Sequence, residues 1–110
     1  MPNFEATTQE GTGHVRVTLT GECDLAVRDE LHSVLESAVN AAPLVIVDLG
    51  RLDFLDSSGV HGLVVAHLEA QARGGRVALV NPSGSVADVL DITGVGTLLG
   101  TVSDEKAAGG

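Results

Sequence analysis

The sequence predicts one α/β domain built on a single mixed, mostly parallel β-sheet, in the order β-β-α-β-α-β-α-β. Three observations carry this. Val45-Ile46-Val47-Asp48-Leu49 is a short, β-branched, nearly continuous apolar run, which a strand buried on both faces requires. Downstream, Val60, Leu63, Val64 and Leu68 recur at helical spacing and form one stripe. The apolar fraction is 44% but the aromatic fraction only 2%, with Phe4 and Phe54 its members, so Val, Leu, Ile and Ala must build the core. Such a core suits a compact α/β sheet. A chain of 110 residues makes one domain, 1–110, with an ordered core expected over about 4–102. That size removes roughly 65% of the unfolded surface from water.

Each element follows in turn. Phe4 to Gln9 reads as a strand, ended by the turn Glu10-Gly11-Thr12-Gly13, and Val15, Val17 and Leu19 alternate as a second strand, giving an antiparallel hairpin. Gly21 to Asp24 reads as a loop, with Asp24 capping a helix whose inward residues are Leu31, Val34, Leu35 and Ala38. Ala41-Ala42-Pro43 ends that helix, and the buried strand Leu44 to Leu49 follows. A helix from about Ser57 to Arg73 is closed by Gly74-Gly75, and Arg76 to Val80 is the next strand. Asn81 to Ser85 opens a short helix containing Val86, Val89 and Leu90, stopped by Gly94. Leu98 to Val102 supplies the last strand, and the polar segment 104–110 is expected to fray.

Charge narrows the function. The net charge of −9, from 15 acidic and 6 basic residues, argues against nucleic acid and against anionic membranes, both of which need clustered Lys and Arg. Cys23 has no partner for an internal disulfide, and Glu22 and Asp24 beside it disfavour the thiolate, which suits a reducing cytosol. No basic, apolar leader precedes Phe4, and no apolar run approaches the roughly 18 residues of a membrane helix. The expected location is cytoplasmic.

The segment from Leu52 to Leu63 sets an acid and two hydroxyls, Asp56, Ser57 and Ser58, where a buried strand gives way to an amphipathic helix. Free N–H groups and the positive end of the helix dipole favour an anionic or oxygen-bearing group there. The plainer reading is helix capping, since Asp and Ser cap helices in any protein. The other reading is a candidate modification site.

Taken with Leu19-Thr20-Gly21-Glu22-Cys23-Asp24 and its following helix, this segment resembles the STAS family, in particular its free-standing bacterial anti-sigma factor antagonists. The resemblance runs from about Phe4 to Val102. It implies the STAS fold, and phosphorylation at Ser57, directly after the aspartate of Asp56-Ser57-Ser58-Gly59. It further implies partner switching. Unmodified, the chain would bind an anti-sigma factor that is itself a serine kinase and free the sigma factor to direct transcription, as in a stress response. The kinase, with its own Mg-ATP, would phosphorylate Ser57 and end binding, and a serine phosphatase would restore it. Asp56 and Ser58 would shape the acceptor loop, and Glu22, Cys23, Asp24, Gly59 and His61 would complete the docking surface. His61 stands where a small residue often follows the motif, and Cys23 where a hydrophobic residue commonly sits. The alternative is a STAS scaffold or transport-regulating subunit that assembles constitutively.

No catalytic residues, cofactor or metal are expected. The nucleophile-elbow pattern Gly-x-Ser-x-Gly is absent around Ser57. His61 and His67 point about 120° apart on a helix, and His14 and His32 lie in other elements, so all four read as surface or boundary histidines. Gly11-Thr12-Gly13 precedes a strand rather than a helix and forms no phosphate loop. A small nucleotide-binding enzyme is accordingly a distant third reading.

Overall fold

The structure, a computed structural model, describes residues 3–102. Two strands, β1 (Phe4–Gly11) and β2 (His14–Cys23), form the expected hairpin, joined by Thr12-Gly13 with Gly13 at φ +78°. The turn is tighter than expected because Gly11 still pairs with His14. One 3-10 turn (Leu25–Val27) leads into α1 (Arg28–Ala41), followed by β3 (Leu44–Leu55), α2 (Ser57–Ala72) and β4 (Arg76–Val80). The chain closes with α3 (Gly84–Thr93), α4 (Val95–Leu99) and β5 (Thr101–Val102). The sheet runs β1-β2-β3-β4-β5, antiparallel at β1-β2 and parallel elsewhere, so β3 is central. Each crossover steps in the same direction, and right-handed connections then place the helices on one face.

Alternation along the strands sorts the residues. Val15, Val17, Leu19, Val45, Val47, Leu49, Val77 and Leu79 join the helices' buried residues in the main core, while Ile46 and Val80 form a second cluster with Leu44 on the other face. The central strand is therefore buried on both faces, as its apolar run requires. Beside that second cluster Arg16 and Asp48 form an ion pair at 2.7 Å. Partial burial pushes the Asp48 carboxyl up, and hydrogen bonds from Gly50, Arg16 and Asn81 outweigh it, leaving the group below the usual carboxylate range.

Several expectations change. β3 does not stop at Leu49 but continues to Leu55, and β2 runs through the expected loop to Cys23, each serving as the other's partner. Two register shifts put extra residues into β3, so that Leu49, Leu52 and Leu55 all turn inward at a spacing that simple alternation hides. Gly21, at φ +93°, lets β2 pass close beneath the Asn3 carbonyl, which a Cβ there would overlap. Asp24 caps the 3-10 turn, accepting from the Ala26 N–H at 3.0 Å, rather than α1 itself.

The expected strand at Leu98 to Val102 is mostly α4. Gly94, in the left-handed region at φ +75°, ends α3 and restarts a helical turn that buries Val95 and Leu99 four residues apart. Only Thr101–Val102 pair with β4. On α2 the buried face comprises Gly59, Val60, Leu63, Ala66, His67 and Ala70, whereas Leu68 is 54% exposed, outside the expected stripe. His67 is not a surface residue. It is 4% exposed, with Nδ1 accepting from the Val77 N–H at 3.2 Å, which ties α2 to β4. The segment expected to fray, 104–110, lies outside the described residues.

Candidate functional site

Strands β2 and β3 end together, and the Asp56 N–H donates to the Cys23 carbonyl at 3.2 Å, fixing where the chain leaves the sheet. Asp56 is in extended backbone at φ −103°, the conformation of an N-cap. Its Oδ1 accepts from the Ser58 N–H at 3.0 Å, the Gly59 N–H at 3.2 Å and the Ser58 hydroxyl at 2.6 Å. Partial burial pushes this carboxyl up. The hydrogen bonds from Ser58, Gly59 and the Leu25 N–H outweigh that effect and hold it below the usual carboxylate range. Asp56 is therefore a charged cap at neutral pH.

The two serines are unequal. Ser57, the first residue of α2, is exposed, and its hydroxyl makes no hydrogen bond among the described residues. Ser58 is half-buried, and its hydroxyl is committed to Asp56. Only Ser57 offers an accessible, uncommitted oxygen. Gly59 is buried against the strand ends, where a Cβ would stand 2.5 Å from Leu55 Cδ1 and 2.9 Å from Cys23 Sγ. Glycine at this position lets the helix start sit directly on the sheet.

Of the other expected site residues, Glu22 is exposed and Asp24 half-buried at the same end of the sheet, and His61 is exposed one turn along α2. Cys23 is different. It is fully buried beneath Gly59, so it supports the start of α2 from below and presents no side chain to the surface there. Burial, with the charges of Asp56 and then Asp24, pushes its thiol up to about 12. The thiol is unreactive mainly because it is desolvated, a cause that flanking acids alone do not reveal.

Sequence reasoning missed two apolar side chains at this end, Leu25 at 65% exposure and Phe54 at 45%. Leu25 directly follows the Asp24 cap, and a large apolar residue at the mouth of a turn is the signal that could have found it. Between α1 and α2 lies a cleft of about 280 Å³, lined by Arg28, Asp29 and His32 from α1 and by Ser58 and His61 from α2. Among the described residues no group of three or more His, Cys, Asp or Glu is arranged to hold a metal. No described helix is long and apolar enough to cross a membrane.

Comparison with known proteins agrees with this fold. The chain is 32% identical over 96 residues to an anti-sigma F factor antagonist of Lysinibacillus sphaericus, covering 84% of this chain and 81% of that protein. It is similar to the unphosphorylated anti-sigma factor antagonist SpoIIAA, with a TM-score of 0.81, 29% identity, and coverage of 94% and 93% of the two chains. The phosphorylated form of the Bacillus cell fate determinant SpoIIAA matches with a TM-score of 0.71 and 28% identity over 96% of each chain. An anti-sigma factor antagonist from Mycobacterium paratuberculosis shares the fold, with a TM-score of 0.86 at 19% identity over 96% of this chain and 91% of that one. The STAS domain model matches residues 3–108, and the chain belongs to the STAS domain family.

Proposed function

We propose that this chain is an anti-sigma factor antagonist whose binding is switched by phosphorylation of Ser57. One observation carries the reading. At the start of α2 the Ser57 hydroxyl is exposed and uncommitted, whereas the adjacent Ser58 hydroxyl is bound to Asp56. The likeness to a SpoIIAA known in phosphorylated and unphosphorylated forms supports it. Unmodified, the chain docks an anti-sigma factor serine kinase and so frees the sigma factor in the cytoplasm. That kinase transfers the γ-phosphoryl of its own ATP to Ser57 Oγ, releasing ADP, and a serine phosphatase hydrolyses the ester to reset the switch. The chain is substrate and binding module, with no catalysis of its own.

The docking face comprises Asp56, Ser57, Ser58 and His61 at the helix start, with Glu22 and Asp24 beside them and Cys23 and Gly59 as the packed base. Phosphate adds about −1.5 to −2 charge next to Asp56, in a chain already at −9. The fold tolerates this because the first turn of a helix favours anions. A partner surface shaped to the neutral hydroxyl does not. The test incubates the protein with its kinase and ATP, maps the phosphate by mass spectrometry, and measures affinity before and after. Ser57→Ala should bind and escape inactivation. Label confined to Ser58, or equal affinity of the two forms, refutes the proposal.

A further inference from the structure

We propose that His61 is the internal counter-ion for phosphate on Ser57, an inference that rests on the phosphorylation reading above. The two residues are four apart on α2, which makes their side chains neighbours about 40° apart around the helix. Both are exposed. His61 makes no hydrogen bond or ion pair among the described residues, and the groups around it leave it available. From α1, Arg28, Asp29 and His32 face the shared cleft, with Arg28 Nε 3.7 Å from Asp29 Oδ1 and His32 Nε2 3.2 Å from Glu36 Oε2. On α2 itself, Asp56 commits Oδ1 to Ser58 and Gly59. Phosphate on Ser57 supplies the anion that His61 lacks.

The second ionisation of a phosphoserine lies near pH 6, so a positive neighbour registers as a fall in that step. A cationic side chain four residues along the helix draws the phosphate to its dianion and offsets part of the charge presented to the partner.

Phosphoserine installed at position 57 during translation tests this without a kinase, so its outcome is separate from whether cells phosphorylate Ser57. The measurement is a ³¹P NMR titration from pH 4.5 to 8, with folding checked by circular dichroism. His61→Ala should raise the phosphate's second ionisation by roughly 0.2 to 0.5 pH unit, the size expected of one exposed charge pair. His61→Lys should keep it at or below the wild-type value, and His32→Ala should leave it unchanged. Superimposable curves for the parent and His61→Ala, or an equal shift from His32→Ala, would overturn the proposal.

Discussion

Replacing Gly59 by alanine tests how closely α2 must sit on the sheet. The added Cβ would stand 2.5 Å from Leu55 Cδ1 and 2.9 Å from Cys23 Sγ, where carbon contacts relax to about 3.5 to 4.0 Å. Neither neighbour can swing into solvent, since Leu55 is 1% and Cys23 0% exposed. Overpacking of this kind costs about 1 to 3 kcal/mol. Alanine recovers roughly 1 kcal/mol of helix propensity over glycine, and with two buried obstacles the net destabilisation should be about 1 to 2 kcal/mol. For a domain this small that lowers Tm by roughly 4 to 8 °C. Gly62→Ala is the milder comparison, because its Cβ would stand 3.0 Å from Leu31 Cδ2, a contact that a shift of a few tenths of an ångström relieves. It should stay within about 1 kcal/mol of the parent, helix propensity offsetting the tighter contact. Denaturant unfolding of both variants, and of Gly59→Ala combined with Cys23→Ala, completes the test. Removing the sulfur should cost less in the Gly59→Ala background, with a coupling of at least about 0.5 kcal/mol. Equal stability of the Gly59→Ala and Gly62→Ala proteins, or strict additivity with Cys23→Ala, refutes the packing argument.

Further predictions concern the cap and the buried histidine. Asp56→Ala removes the acceptor for three donors and should destabilise by up to about 2 kcal/mol, the upper range for an N-cap, as read by urea unfolding; Asp56→Asn should lose less. The folded-state pKa of His67 is lowered, first by desolvation and then by the Arg76 charge. The unfolded chain therefore takes up this proton first, near pH 6.5. Stability is complete above that value and falls as pH drops through the lower folded value. Melting scans of the parent and His67→Gln between pH 5 and 8 should diverge below about 6.5, and parallel curves would contradict the assignment. Asp48 and Asp56 act in a separate window, since their lowered pKa values hold stability that is lost only below about pH 4.

How much of this was legible in the sequence depended on whether the determining interaction was local. The central strand, the extent of α2, and the placement of Ser57 at its start follow from apolar runs, cap residues and glycine stops within a few positions of each other. Features set by distant partners did not show. The extension of β3 to Leu55 exists because Thr20 to Cys23 pair with it across two bulges, which replace alternation with the spacing Leu49, Leu52, Leu55. His67 looked like a polar boundary residue because its partner, the Val77 N–H, lies on β4. Leu98 looked like strand because nothing local weighs the left-handed Gly94 turn against it. At the site, the sequence offered two adjacent serines and no way to rank them by exposure; the Asp56 hydrogen bond to the Ser58 hydroxyl does so.

The same contacts bear on the proposed switch, in which a modification at Ser57 would alter docking without unfolding the domain. Everything that fixes the start of α2 lies beneath it or along its backbone: the Asp56 N–H on the Cys23 carbonyl, the Asp56 carboxylate on two N–H groups, and Gly59 against Cys23 and Leu55. None of these uses the Ser57 side chain. A phosphate on that side chain therefore breaks no native contact, and its electrostatic cost within the domain is screened by solvent and offset by the helix start. Across a docked interface the same charge loses that solvent, and its cost rises steeply as the dielectric falls. A change of 1.4 kcal/mol already alters affinity tenfold, well inside what desolvating a phosphate imposes. Under the proposed switch this placement separates the two free energies, so that stability stays nearly constant while binding changes.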